Sequence, residues 1–246
     1  MNTLNFIKHK FKPQKFKKHF HTNYSIGLIT QGVHKLNIKN QELIATAKDI
    51  KIINPFEMHI ADGAFSWEYI NFMPEKETID LIYQEIFEKE PKEVEFQNSI
   101  RDKDAIGLFL RLYKSKDAFE KEENFTIFIS YLIKNFLKDR TTLPKISTPI
   151  KESIEFIREN FLEDITLDEV AKVSKISRYH LIKLFSKEVG LTPYQYILDL
   201  RLEYGFELIK LGYPLSLVAF EANFSDQSHF IKAFKARYGF TPSLLK

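Results

Sequence analysis

An internal repeat in the C-terminal part of the chain restricts the fold more than any other feature of the sequence. The segment HLIKLF, which begins at His180, returns as HFIKAF at His229, 49 residues later. In both copies a glycine and then a Thr-Pro pair follow the last phenylalanine, at Thr192-Pro193 and at Thr241-Pro242. Similarity at a fixed period indicates that one supersecondary unit occurs twice.

Each copy predicts two short helices joined by a tight turn. In the first copy Thr166 and Glu169 fit a capping box, and Ser177 then caps a second helix. In the second copy Asn223 suits a left-handed turn, and Asp226 or the serine before it caps the next helix. The outer face of the second helix is polar in both copies, which is typical of a helix-turn-helix. A plain helical bundle is the alternative for a single copy, whereas two copies favour DNA binding.

A long helix is predicted between the two copies. Thr192 is its cap, Pro193 takes its first position, and it runs to about Leu211. Roughly twenty residues at a rise of 1.5 Å span about 30 Å. This length is close to the ~34 Å that separates successive major grooves on one face of DNA. A rigid connector of this kind would allow both second helices to contact one face of a duplex.

The C-terminal pattern resembles the AraC/XylS family of bacterial transcription regulators. The matching segments are TLDEVA from Thr166, SRYHL from Ser177, RLE from Arg201 and NFSDQSHF from Asn223. The sequence departs from the family at Asn223, where glycine is usual, and at Glu221, an acid in the first helix of the second copy. Carried over by motif, the resemblance implies that the DNA-contacting residues are Ser177, Arg178, Tyr179, Ile182, Lys183, Gln227, Ser228, His229, Ile231 and Lys232.

The first half of the chain has a different periodicity. From about Asn23 to Phe72, apolar residues alternate with polar ones, and turn signals such as Gln31-Gly32 and Asn54-Pro55 separate the runs. Short strands with this spacing predict a small antiparallel barrel or sandwich. After Pro74 the period changes to that of helices. The fold class expected is α+β, with a small β-barrel and flanking helices before an all-α domain.

The predicted organisation has two domains. A barrel domain over residues 1–140 is followed by a linker over 141–149, which contains two prolines, and by a helix-turn-helix domain over 150–246. The helix around Phe125 to Phe136 has a wide apolar face. Such a face indicates either a buried helix or a contact with a second copy of the chain.

The first domain resembles the cupin-type sensor domain of the same family, on the basis of HFH at His19, the strand from Tyr24 and NPFEMH at Asn54. The resemblance implies a barrel that takes a small-molecule effector, followed by helices used for dimerisation. Aromatic side chains are candidates for lining the pocket, although ordinary barrel core is the alternative. The expected effector-binding residues are His19, His21, Tyr24, Glu57, His59 and Trp67.

Three histidines of this set raise an alternative function. His19 and His21, together with His59, imitate the three imidazoles of a metal-binding cupin. The carboxylate that usually follows the first two histidines is missing, because Ser25 and Ile26 occupy its place. We therefore expect no metal, no cofactor and no catalytic residue. A metal-dependent cupin enzyme fused to a DNA-binding module is the alternative, and a regulator that responds to a protein partner instead of a ligand is a third.

The composition excludes several classes of protein. The 246 residues include no cysteine, which rules out disulfides, thiolate metal sites and cysteine nucleophiles. The net charge of +3 indicates no partner by itself, although the charge after Val170 is basic. No signal peptide or membrane segment is predicted, and a cytoplasmic location is expected. The expected partners are double-stranded DNA and an effector, with RNA polymerase and a second copy as further candidates. Activation is the commoner mode in the family.

Overall fold

The structure, a computed structural model, describes residues 5–13, 16–38, 41–62, 65–91, 93–138 and 146–245. The chain forms two compact units. Residues 1–15 and 20–141 make up the first unit, and residues 16–19 and 142–246 make up the second. Most of the expected linker over 141–149 lies outside the described residues, and the first helix of the second unit begins at Thr148.

The first unit combines antiparallel strands with helices, in the order that the change of periodicity predicts. The long strand β2 has 14 residues and belongs to two sheets. Its first half pairs with β4 and β6, and its second half pairs with β3 and β5. Strand β1 extends one sheet beside β6, and β7 extends it beside β4. The described elements are β1 (Ile7–Phe11), β2 (Ser25–Ile38), β3 (Gln41–Thr46), β4 (Ile50–Ile53), β5 (His59–Asp62), β6 (Trp67–Phe72), α1 (Lys76–Phe87), β7 (Ser99–Ile100), α2 (Lys103–Tyr113) and α3 (Ala118–Asn135).

The core of this unit lies between one face of the sheet and the helices. Successive residues of a strand point to opposite faces, and this core takes one face of β4, of the first half of β2 and of the second half of β6. Helix α3 packs its wide apolar face into the same core, where Phe128, Ile129 and Leu132 are fully buried. The face that suggested a second copy of the chain is therefore covered by the chain itself. The core includes Ile26, Leu28, Ile50, Ile52, Ile70, Phe72, Phe109, Phe125 and Phe128.

The described part of the second unit is helical and contains no strand. The predicted caps are confirmed: Thr166 and Glu169 form a capping box, Ser177 accepts from the N–H of His180, and Asp226 accepts from that of His229. Among the described residues, no helix is both long enough and apolar enough to cross a bilayer. The helices are α4 (Thr148–Asn160), α5 (Leu167–Val173), α6 (Arg178–Glu188), α7 (Pro193–Lys210), α8 (Leu215–Glu221) and α9 (Gln227–Tyr238), followed by a 3₁₀ helix at Pro242–Leu245.

The fold class expected from the sequence is confirmed: a sheet-rich first unit precedes a helical unit that holds two helix-turn-helix pairs. Helices α5 and α6 form the first pair, and α8 and α9 form the second. The turn of the second pair contains Asn223, whose φ of 53° is left-handed. Asparagine tolerates this conformation better than most residues, so the departure from glycine leaves the turn intact.

Candidate DNA interface and effector site

Helix α6 is fixed by its inner face and leaves its outer face accessible. Leu181 and Phe185 are fully buried and anchor the helix. Tyr179 is 75% exposed and Ile182 39% exposed, and Lys183 is exposed as well. Ser177 stands at the N-cap, where its hydroxyl is occupied by the backbone of the first turn. The structure thus places the sequence-predicted residues of α6 on one open surface.

Arg178 has a partner in this protein. Its guanidinium Nε lies 3.2 Å from Oδ1 of Asp168, in the first turn of α5, and both side chains are mostly exposed. An exposed ion pair of this kind contributes at most about 1 kcal/mol. A phosphate or a guanine edge can therefore replace Asp168 at small cost.

Helix α9 shows the same arrangement. Phe230 and Phe234 are fully buried, and Gln227, Ser228 and Lys232 are exposed. Two of the predicted residues, His229 and Ile231, are less available for a contact with DNA. The Nδ1 atom of His229 lies 3.2 Å from Oγ of Ser225, and Ile231 is half-buried.

Helix α7 connects the two pairs and is buried over much of its length. It has 18 residues, and it contacts α4, α6, α8 and α9. At about 1.5 Å per residue it spans about 27 Å. Its cap is a second capping box, formed by Thr192 and Gln195, which sequence analysis did not include.

Two arginines tie α7 to its surroundings. Arg201 donates to three backbone carbonyls, those of Phe161, Glu163 and Asn223, at 2.7–3.0 Å. Arg237 of α9 is buried; it donates to the carbonyl of Asp199 at 2.8 Å and pairs with Glu203. These bonds hold the turn of the second pair, and α9 itself, against the connector. The sequence motif of Arg201 gives no sign of this role, since the acceptors are backbone atoms far away in the sequence.

In the first unit, the sheet face opposite the helices carries polar side chains. We call it the inner face and define it by Ser25, Gly27, His34, Lys51, Trp67, Tyr69 and Asn71. Gly27 pairs with Lys51 on one side and with Asn71 on the other. A Cβ atom on Gly27 would lie 2.7 Å from Oδ1 of Asn71 and 3.0 Å from the ring of Tyr69. Glycine at this position is what allows these two side chains to lie across β2.

Lys51 is the only described lysine or arginine of the inner face. It is 7% exposed, and its Nζ lies 5.5 Å from the centre of the Tyr69 ring. Burial lowers the pKa of Lys51 from its usual 10.5 to about 8. The side chain is still charged at neutral pH, so the inner face contains a positive charge that water reaches poorly.

His34 lies next to this charge. Its ring stacks on Trp67 with centroids 4.2 Å apart and an interplanar angle of 13°. Both ring nitrogens are buried, and neither has a hydrogen-bond partner among the described residues. Burial, followed by the charges of Lys51 and His59, holds the pKa of His34 well below its usual 6.5. The imidazole is therefore neutral at neutral pH.

The residues expected to bind an effector do not share one environment. Trp67 belongs to the inner face, and the rings of His21 and His59 lie 5.1 Å apart. Tyr24 does not belong there: its ring is in the core beneath the helices, and its hydroxyl donates to the carbonyl of Val94 at 2.5 Å. Tyr24 lies just before β2 and packs with the core residues beneath the helices, so we remove Tyr24 from the candidate site.

Glu57 is also not available to an effector, because its carboxylate is bonded to other residues of the chain. Its carboxylate accepts from the backbone N–H of Asn54 at 3.1 Å, from Nδ2 of Asn98 at 2.5 Å and from Nζ of Lys138 at 2.8 Å. This network fixes the turn before His59, which makes Glu57 a positioning residue. Within the described part of the chain, the group that could hold a metal ion is His19, His21 and His59, all of them buried. The Glu57 carboxylate, already bonded to three partners, supplies no free ligand beside them.

Lys51 and His34 were missed by sequence analysis. The signal for Lys51 was a lone lysine in the apolar run IKII. The signal for His34 was a polar residue at an inward position of an alternating strand. Neither residue can be assigned to the inner face until the pairing of the strands is known.

Comparisons with known proteins cover both units. An AraC-like ligand binding domain matches residues 7–128, and a helix-turn-helix domain matches residues 170–246. YbfI of Bacillus subtilis, an uncharacterized HTH-type transcriptional regulator, is 30% identical over 234 residues, which cover 88% of this chain and 82% of YbfI. The lactose operon transcription activator of Staphylococcus xylosus is 26% identical over 156 residues, covering 60% of this chain and 55% of the activator. Among solved structures, ToxT from Vibrio cholerae with an unsaturated fatty acid bound has a TM-score of 0.67 at 16% identity, covering 100% of this chain and 97% of ToxT, which shows a shared fold.

Proposed function

Because this chain belongs to the AraC family of bacterial transcriptional regulators, we propose that α6 and α9 contact its operator and that a small molecule bound at the inner face controls this contact. The chain is a sequence-specific DNA-binding regulator with a ligand-binding first domain, and it is not an enzyme. The metal-dependent cupin enzyme that the three histidines suggested is therefore set aside.

One observation carries the proposed DNA contact: two helices with open polar faces are anchored on one connector. Each helix has buried aromatic or aliphatic residues inward and long polar residues outward. Gln227 matches the edge of adenine, while Arg178, Lys183 and Lys232 match guanine or phosphate. Tyr179 and Ile182 suit thymine methyl groups. Ser177 and Ser228 are assigned to the backbone of the DNA, and His229 and Ile231 to the edge of the contact.

The mode of regulation follows from the relatives. The lactose operon regulator of S. xylosus is named as an activator, and we propose activation for this chain, with RNA polymerase as the protein contacted at the promoter. We propose the cytoplasm as its location, because the chromosome of a bacterium lies there. Dimerisation stays a prediction, since the α3 face that suggested it is buried within its own chain.

The DNA contact can be tested with the upstream region of the chain's own gene in a gel-shift titration at several salt concentrations. The double variant Lys183→Ala/Lys232→Ala is expected to bind at least about tenfold more weakly. Each lost phosphate contact also lowers the slope of log affinity against log salt by about 0.9. Lys210→Ala is the matched control, because Lys210 pairs with Glu207 at the end of α7. Equal affinity and equal salt slope for the double variant and the control would remove both lysines from the interface.

A further inference from the structure

We infer that the effector is a small organic monocarboxylate whose charge pairs with Lys51 on the inner face. This inference rests on the proposed effector control and names the chemical class of the ligand. It is carried by the placement of Lys51, by the unpartnered polar atoms around it and by the aromatic rings beside it.

A buried cation needs a counter-charge. Removing an ammonium from water costs several kcal/mol unless an anion or strong acceptors replace the water. Among the described residues no carboxylate is paired or hydrogen-bonded with Lys51, and its contact is with the π face of Tyr69. A carboxylate brought by a ligand would supply the missing counter-charge.

The two buried acids in the described part of this unit are already paired with cations. Asp49, close to Lys51 in sequence, is held by Arg101, with Nε 2.6 Å from Oδ1. Glu57 is held by Lys138. Neither carboxylate is free to turn toward Lys51 without leaving its own partner unpaired. We therefore expect the counter-charge to come from a bound anion.

Polar groups suited to a carboxylate flank the lysine. Asn71 lies on the same face, across Gly27 from Lys51, and its Oδ1 already accepts from Oγ of Ser25 at 3.1 Å. Its amide nitrogen carries two hydrogens that it can donate to a ligand. His34 is neutral and buried, and it can donate through one ring nitrogen. One carboxylate oxygen would bind Nζ of Lys51, while the other accepts from Asn71 or His34.

The charge and the surroundings define the ligand further. One lysine and a neutral histidine provide a single positive charge, which a monocarboxylate balances. A phosphate ester with two negative charges would leave the site with an excess negative charge. Phe11 stacks on Trp67 at 4.7 Å and on Tyr69 at 5.7 Å, which forms an apolar wall beside the charge. The rest of the ligand is accordingly a hydrocarbon chain or an aromatic ring.

The test is a thermal-shift and calorimetric titration of the full chain with octanoate and benzoate. Octanamide and benzamide are the neutral controls, since they have nearly the same shape as the two carboxylates but no charge. Inorganic phosphate is the control for an anion with a different charge. We expect at least one carboxylate to raise the melting temperature, and its neutral amide to bind at least about tenfold more weakly, since a buried charge pair is lost. The Lys51→Met variant should lose this preference. Lys10→Met, which replaces an exposed lysine of β1, should keep it.

Three results would overturn the inference: amides that bind as well as carboxylates, phosphate that binds in their place, or Lys51→Met protein that keeps its carboxylate affinity. Melting curves of Lys51→Met without ligand show whether the variant is folded. Gel shifts then separate this inference from the proposed function. A carboxylate that binds through Lys51 but leaves DNA affinity unchanged would support the ligand class and contradict effector control.

Discussion

Gly205 of α7 faces the ring of Phe230 of α9 so closely that a Cβ at position 205 would lie 2.6 Å from Cε2 of that ring. Phe230 is fully buried and also packs against Phe224 and Phe234. The missing side chain at Gly205 is therefore what allows α9 to lie against α7.

Gly205→Ala is expected to destabilise the second unit by about 1–3 kcal/mol, because the new methyl group must displace a ring with little room to move. Alanine is the better helix former by about 1 kcal/mol, which offsets part of this loss. Thermal unfolding measures the net effect. A gel-shift titration should show weaker DNA binding, since α9 must shift on α7.

Gly107→Ala is the matched control. Gly107 lies on the exposed side of α2, and nothing lies within 4 Å of the position of its Cβ. The variant should gain about 0.5–1 kcal/mol from helix propensity alone. A Gly205→Ala protein that is as stable and as tightly bound to DNA as the wild type would show that the contact with Phe230 does not limit the packing of α9.

Lys51→Met should make the first unit more stable at pH 7 in the absence of ligand. The pKa of Lys51 falls from 10.5 unfolded to about 8 folded. The penalty for burying the charge is complete below pH 8 and disappears as the pH rises toward 10.5. With 1.36 kcal/mol per pKa unit, the gain is on the order of 3 kcal/mol. Urea unfolding of the variant and of Lys10→Met measures it, and an unchanged midpoint for Lys51→Met would indicate that the ammonium is well solvated.

His34 should make the first unit sensitive to mild acid. Its pKa is well below 6.5 in the folded protein, and near 6.5 when unfolded. Below pH 6.5 the unfolded chain binds a proton that the folded chain does not, so stability falls as the pH is lowered toward the folded pKa. The largest contribution is about 1.36 kcal/mol per pH unit. His34→Phe, which keeps a ring against Trp67, should reduce this slope between pH 6.5 and 5; denaturant midpoints across that range show whether it does.

Asp168→Asn should strengthen DNA binding up to about fivefold, because Arg178 is released from an exposed ion pair worth at most about 1 kcal/mol. Glu159→Gln, which removes one negative charge from an exposed position of α4, controls for net charge. Binding curves at fixed salt compare the two variants. If both gain equally, the effect is one of overall charge, and Arg178 has no special role.

The helical unit could be predicted in detail because its signals are local. Caps, turns and the repeat are set by residues a few positions apart, and Thr166, Ser177, Thr192 and Asp226 each take the capping role expected of them. The same holds for Asn223, whose side chain fits a left-handed turn. The outward faces followed directly from the helical period.

The inner face could not be predicted in the same way, because strand register is a long-range property. Tyr24 was expected near the effector, yet its ring lies in the core beneath the helices, and the next residue, Ser25, is the one that belongs to the inner face. Lys51 shares a face with Asn71 and His34 only through pairing between strands distant in sequence. The spacing of His19, His21 and His59 is a familiar metal-binding pattern and can be recognised in the sequence. Lys51, which carries the proposed ligand contact, is a single lysine in an apolar run.

The burial of α7 between its neighbours has a consequence for promoters. Because α7 packs against four other helices, we expect its length and direction to stay the same when the protein binds DNA. Inserting about five base pairs between the two recognised sequences would move one of them to the far side of the duplex, half a turn away. Adding a full turn of DNA would return both sequences to one face of the duplex, but their separation would then exceed the length of α7. Mutations that alter this interval would thus silence a target gene, even with every contacted base preserved.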